Sequence, residues 1–475
     1  MAATAAGRVV PKFVVQIVRS DNRFVTGIAL LATLGGFLFG FDTGIISGAL
    51  PYLSKDFHLG SFGQSWVVGS LLLGAVVGAA LSGKLADLLS RKWTKFAAGC
   101  VFTLAGLWSA LSPDIGSLIA ARAVLGLAVG TASFVAPMYI AEHSPRELRG
   151  GMTALNQFAG ITFGILIAYV LDFALVDLSN NWRWMLGVEA IPGVALTIAM
   201  IFVPHTPRWL VQRGRIDEAT RVLRRTHPDV DPKAALQEIQ KVARSQSAFR
   251  LRQLASPRMR KLLIVGIGLA TFQQLLGINT VIYFGTTILH FTGLSLSTSV
   301  SETVFIGVVN FFFAGVAVLL IDKVGRKPLL VISGVGCTLT LIVLGIYFDQ
   351  SMAFQHANAD LALAALLAYL AFFEIGLGPV FWVMIAEVYP LRSRAKAMAV
   401  ATMFNWVFNF LVSYYFLHLT DTIGKAGAFW MYAGFGVLAS IFFVTTVPET
   451  RNRSLEQIER QVTGENLEED HAQAA

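Results

Sequence analysis

Long apolar blocks separated by short charged clusters constrain this chain more than any other feature. Residues 67–82, 329–348 and 361–373 run without a Lys, Arg or Glu, and about 20 apolar residues in a helix cross a hydrocarbon core of roughly 30 Å. About twelve such blocks fall near residues 24–50, 64–83, 94–112, 116–141, 151–175, 184–204, 262–290, 300–321, 328–348, 361–386, 397–418 and 427–447. Only 14% of the 475 residues are charged, against about a quarter in soluble domains. The pattern predicts an all-α membrane protein with twelve transmembrane helices. Gly126 and Gly130, four apart, predict a close helix–helix approach in the fourth block.

Lys and Arg alternate between the sides of the blocks. Lys84, Arg91, Lys92 and Lys95 follow the second block, Arg146 and Arg149 the fourth, Lys323, Arg326 and Lys327 the eighth, and Arg392, Arg394 and Lys396 the tenth. Segments 292–303 and 349–360 carry neither residue. By the positive-inside rule both termini are expected in the cytoplasm. The net charge of +8 follows from that topology and adds attraction to membrane lipid headgroups. No basic, aromatic-interleaved patch points to nucleic acid. Cys100 and Cys337 fall inside apolar blocks as small fillers. No nucleophile, base or metal-ligand cluster gathers, so neither an enzyme, a metal nor a cofactor is expected. The residues before Arg23 lack a cleavable signal pattern, so the first span is expected to be retained.

The one long hydrophilic stretch, 205–261, divides the chain. Within it, Asp231 followed by Pro232 predicts an N-cap opening a helix over 233–244, and 216–225 predicts another short helix. The halves repeat. Asp87-Leu-Leu-Ser-Arg91-Lys92 is matched by Asp322-Lys-Val-Gly-Arg326-Lys327, and Glu142 with Arg149 by Glu387 with Arg394. The offsets are 235 and 245 (322 − 87 and 387 − 142), so two parallel six-helix repeats are implied. The domains are expected as 1–204, a cytoplasmic helical linker 205–261, 262–447, and a cytoplasmic tail 448–475. Six plus six parallel spans with a cytoplasmic linker is the major facilitator layout, with a substrate site between the halves. Asp87, Arg91, Glu142, Arg149, Asp322, Arg326, Glu387 and Arg394 are the expected cytoplasmic gate. Asp87 and Arg91, four apart, are expected to share a helix face and pair across the halves.

Few ionisable residues stand out at membrane depth, where each is a functional candidate. Asp42 and Arg122 can neutralise one another, and a movement of Asp42 relative to Arg122 would change its proton affinity. A static pair that only orders the bundle is the competing reading. Glu374 fits a packing acceptor or gate partner better than a proton carrier. The neutral amides Gln157, Gln273, Gln274, Asn279, Asn310 and Asn405 supply donors and acceptors without fixed charge, which suits the hydroxyls of a sugar. Trp382 and Trp406 add flat surfaces for a sugar ring. Asn279 lies about 240° around an ideal helix from Gln273, so the two need a break to share a face, and Gly277 offers one. Tyr283 would then lie outward as a lid.

These residues resemble the sugar porter family of the major facilitator superfamily over nearly the whole chain. The carriers are Phe39-Gly-Phe-Asp42-Thr-Gly, Arg122 with Gly126 and Gly130, Pro137-Met-Tyr-Ile-Ala-Glu142, Pro207-Arg208-Trp209-Leu210, Gln273-Gln274-Leu-Leu-Gly277-Ile-Asn279, Asp322 to Lys327, Gly378-Pro379-Val-Phe-Trp382 and Pro448-Glu449-Thr450. The resemblance implies that Asp42 is a proton-linked acid partnered by Arg122. It implies sugar contacts from Gln157, Gln273, Gln274, Asn279, Asn310, Gly378, Trp382 and Asn405, with Phe39 in the pocket. Leu88 and Ser90 replace the family's Arg and Gly, His205-Thr206 its Glu-Ser, and Arg451-Asn452 its Lys-Gly. Those departures fall on the cytoplasmic gate.

The function so implied is proton-coupled symport of a monosaccharide, a hexose, pentose or inositol, by alternating access. A facilitative uniporter and a sugar sensor are the alternatives. A bacterial inner membrane and function as a monomer are the accompanying expectations.

Overall fold

The computed structural model describes residues 23–144, 152, 156–227, 230–247, 251–349, 359–390, 393–451, 453, 457–458 and 462. Among these there is no β-strand, because hydrocarbon leaves backbone groups no partner outside their own helix. Among the described residues, twelve helices are long and apolar enough to cross a membrane. Spans 1 to 6 are Phe24–Asp56, Ser61–Leu89, Arg91–Leu111, Ile115–His143, Asn156–Leu175 and Asn181–Phe202. Spans 7 to 12 are Pro257–Tyr283, Leu296–Val324, Arg326–Phe348, Ala359–Glu387, Lys396–Thr422 and Gly424–Thr445. Span 7 breaks at Gly277 (φ 86°), between helices Pro257–Leu275 and Ile278–Tyr283, at the glycine the sequence offers for it. Span 10 also breaks, at Gly376, where Ala359–Ile375 gives way to Leu377–Glu387.

The chain forms two compact units, one of Met1–Val242 with Ile282–Phe311 and one of Ala243–Val281 with Phe312–Ala475. Inside the first, span 1 packs on span 5, and span 3 on spans 4 and 6. Inside the second, span 7 packs on span 11, and span 9 on spans 10 and 12. These are the same pairings six spans later, as parallel repeats demand. Spans 2 and 4 meet backbone to backbone: a methyl on Gly126 would run into the carbonyl of Leu71, and one on Gly130 into that of Ala75.

The hydrophilic stretch is helical over Pro207–Gln212, Ile216–Thr226 and Pro232–Ser247. Asp231 accepts the Lys233 N–H at 3.2 Å, the cap its position predicts. Trp209, Leu210 and Ala219 bury together, with Val211, Val222 and Leu236 against them. Trp209 Nε1 donates to Asp87 O (3.1 Å) and Arg213 Nη2 to Leu88 O (2.8 Å). The linker thus satisfies carbonyls that the end of span 2 leaves open.

Candidate functional site

Asp42 of span 1 and Arg122 of span 4 are both buried, and Arg122 Nη1 donates to Asp42 Oδ1 at 3.0 Å. Arg122 Nε reaches across to Val67 O in span 2 (3.1 Å), which fixes the guanidinium plane. Glu189 of span 6, fully buried, interacts with both members of the pair. Two carboxyls then face one guanidinium. Net charge is costly at this depth, so neutrality places one proton on the two acids. The arrangement can hold and release a proton without a cofactor.

Sequence reasoning missed Glu189, although it meets the criterion that singles out Asp42: an ionisable residue within an apolar block. The same oversight covers Asp172 of span 5, which is fully buried and accepts the Gly48 N–H at 3.1 Å. Lys95 is a correction. Its position after span 2 suggests a charge at the headgroups, but span 3 starts at Arg91 and turns Lys95 inward, fully buried. Its Nζ donates to Ala32 O at 2.6 Å and lies 5.5 Å from the Tyr139 ring centroid.

In the second unit the amides join one another. Gln273 Nε2 donates to Leu377 O (2.9 Å) and Gly378 O (3.3 Å), the first two residues after the span 10 break, and its Oε1 accepts from Asn405 Nδ2 at 2.7 Å. Gln273 therefore ties spans 7, 10 and 11 together. Asn279 Nδ2 donates to Gln274 Oε1 at 2.7 Å, so the break at Gly277 brings Asn279 to Gln274 rather than to Gln273. The Gln274 amide donors, and the Asn279 and Asn405 carbonyl oxygens, have no part in these bonds and suit a hydroxylated ligand. Gly378 has no room for a side chain, since a Cβ there would come 2.8 Å from Glu374 Oε2. Glu374 is itself buried against it. Trp406 is buried, whereas Trp382 is exposed and packs edge-on against Phe381.

The remaining candidates belong to the first unit. Phe39 is half-buried, one turn before Asp42. Gln157 sits in a π-helical turn, Asn156–Thr162, at the start of span 5. Its neighbour Phe158 stacks on Phe311 (4.7 Å), which brings Gln157 and the buried Asn310 to the same junction of spans 5 and 8. Tyr283 is buried at the end of helix Ile278–Tyr283.

At the gate motifs, Arg91 pairs with Asp87 (3.0 Å) and Glu142 (3.2 Å), and Arg326 with Asp322 (3.1 Å) and Glu387 (3.0 Å). Among the described residues, each of these pairs joins two residues of one repeat. Asp87 and Arg91 do not share a helix: span 2 ends at Leu89, Ser90 takes φ 87°, and Arg91 opens span 3. The turn, not a common helical face, brings them together. Arg394 Nε donates to Tyr389 O at 3.1 Å. Arg146, Arg149 and Arg392 lie outside the described residues.

The profile of the family described as sugar (and other) transporter matches residues 28–462. The chain is 40% identical over 450 residues to a D-xylose transporter of Levilactobacillus brevis, covering 93% of this chain and 97% of that one. It is 37% identical over 451 residues to a galactose-proton symporter of Escherichia coli (strain K12), covering 93% and 95%. Its fold matches a partially occluded, inward-open structure of the E. coli xylose transporter XylE with TM-score 0.80 and 31% identity, covering 91% of this chain and 100% of that one.

Proposed function

We propose, from the premise that this chain belongs to the sugar transporter family of the major facilitator superfamily, that it carries a monosaccharide across a membrane together with a proton by alternating access. The observation that carries this reading is the buried Asp42–Arg122 pair with Glu189 beside it. A proton arriving on Asp42 cancels its attraction for Arg122, which is then free to turn to Glu189. Proton occupancy thereby selects between two helix arrangements. Such a carrier needs two states within a few kcal/mol of one another, and one buried ion pair made or broken is of that size.

The amides support the sugar half of the reading. In it, Gln274, Asn279 and Asn405 contact hydroxyls directly, and Gln273 holds the frame they stand on. Gln157, Asn310, Phe39, Tyr283, Gly378, Trp382 and Trp406 complete the set. The relatives' xylose and galactose support a hexose or pentose as cargo. The Arg91 and Arg326 networks act as the cytoplasmic gate. Both termini lie in the cytoplasm, with 205–261 as linker between 1–204 and 262–447, in a protein functional as a monomer in the lipid of a bacterial inner membrane. Sugar uptake by proteoliposomes with and without an inward proton gradient tests the reading.

A further inference from the structure

Asp172 has no part in the reading above, yet it is fully buried in span 5 and no Lys, Arg or His faces it among the described residues. Its Oδ2 accepts the Gly48 N–H, and its Oδ1 has no hydrogen-bond partner. The fit is close: a Cβ on Gly48 would overlap the carboxyl. Its titratable neighbours are Tyr52 of span 1, Tyr169 of its own helix and Glu189 of span 6. None is a cation. A carboxylate sealed at this depth without a counter-charge costs several kcal/mol, so in this arrangement Asp172 carries a proton.

Its position relative to Asp42 gives that proton a use. Gly48 follows Asp42 by six residues along span 1, about 9 Å at 1.5 Å per residue, toward the outer face in the orientation proposed above. Asp172 also interacts with Glu189. Charge counting gives three acids, Asp42, Glu189 and Asp172, against Arg122, and so two protons at neutrality. The helices that hold Asp172 also hold the end of span 7 and the residues just after it. Ser47, next to Gly48, accepts the Thr286 N–H at 3.1 Å and meets Thr286 Oγ1 at 3.2 Å. Tyr169, three residues before Asp172, donates to Ile282 O at 2.8 Å. Withdrawal of residues 282–286 would open the Asp172 carboxyl to water.

We propose that Asp172 is a second proton-carrying group of the transport cycle, an outer station that loads from the outside solution and passes its proton to the Asp42 and Glu189 carboxyls. The step is an O–H bond broken at Asp172 and formed at the inner acid. Asp172 recovers its proton from water when the Ser47–Thr286 contact parts.

The inference rests on the proton-symport reading, and the test separates the two. Proteoliposomes bearing wild type, Asp172→Asn or Asp172→Glu are assayed for gradient-driven uptake of xylose and galactose across external pH, and for sugar counterflow, which moves no net proton. Asn keeps the size and hydrogen bonding of the protonated acid, so counterflow should stay near the wild-type rate. Gradient-driven uptake should fall by about tenfold or more and lose its rise with external acidity, and Asp172→Glu should restore it. An infrared carboxylic-acid band present in wild type and absent in Asp172→Asn supplies a readout independent of transport. Proton-driven wild-type uptake with an unchanged pH profile in Asp172→Asn, or no such band, overturns this inference alone. Wild-type uptake indifferent to the gradient overturns the symport reading and this inference with it.

Discussion

Ser90 and His205 are joined Oγ to Nδ1 at 3.0 Å, at the place where the second repeat uses Glu449 alone. His205 precedes Glu449 by 244 residues (449 − 205), one short of the 245 that separates Glu142 from Glu387, and Ser90 corresponds to Gly325, 235 residues on (325 − 90). Glu449 accepts the Arg326 N–H at 3.1 Å and the Lys327 N–H at 3.0 Å, capping span 9. In the first repeat Ser90 supplies the cap itself, accepting the Trp93 N–H at 3.3 Å. The two solutions exclude each other, because a Cβ on Gly325 would come 2.7 Å from Glu449 Oε2. His205→Glu alone should therefore destabilise the protein, and Ser90→Gly with His205→Glu should recover most of the loss. Thermal unfolding of the two single variants and the double one should give a coupling of about 1–3 kcal/mol; additive losses would contradict the pairing.

The Glu449 carboxyl titrates below its ordinary 4.5: burial pushes it up, but the N–H groups of Arg451, Arg326, Lys327 and Thr450 outweigh that. A depressed folded-state value stabilises above the unfolded value and is lost as pH falls through the folded one. Glu449→Gln should then cost about 1 kcal/mol at pH 7, and the difference from wild type should shrink as pH drops below 4.5. Unfolding midpoints between pH 7 and pH 3 check this.

Gly126→Ala should sharply reduce folded yield, since the methyl meets the Leu71 carbonyl in a backbone-to-backbone contact that side-chain movement cannot relieve. Gly434→Ala, in span 12, meets nothing within 4 Å and should leave both yield and melting temperature unchanged. Fluorescence-detected size-exclusion profiles of the two variants test the pair.

Asn405→Ala removes the donor that holds Gln273 Oε1 and the carbonyl proposed to meet the sugar. One buried hydrogen bond is worth about 1–3 kcal/mol when a partner is left unmet, so KM should rise by about tenfold with kcat changed far less. An unchanged KM would place Asn405 in packing rather than recognition.

Much of this was legible in the sequence. Block length dictates the twelve helices, the glycine four-spacing announces a close helix approach at span 4, and Gly277 marks the break in span 7, although the partner it gives Asn279 is Gln274. Asp42 and Arg122 identify themselves as ionisable residues in apolar blocks. What the sequence does not display is helix rotation across non-adjacent spans. That rotation turns Lys95 inward to Ala32, and brings Glu189 to Asp42 and Asp172 to Gly48. It also closes the amide pair Gln273–Asn405, while the break at Gly277 closes Gln274–Asn279 within span 7. Glu189 and Asp172 could have been flagged by position within their blocks, but their partners depend on packing.

The most direct test of the central claim is uptake of labelled xylose and galactose by proteoliposomes holding wild type or Asp42→Asn, with and without an inward proton gradient, alongside counterflow. Wild type should take up sugar uphill only with the gradient, and Asp42→Asn should lose that uptake while counterflow persists. Gradient-independent equilibration by wild type, or uphill uptake surviving in Asp42→Asn, would contradict it.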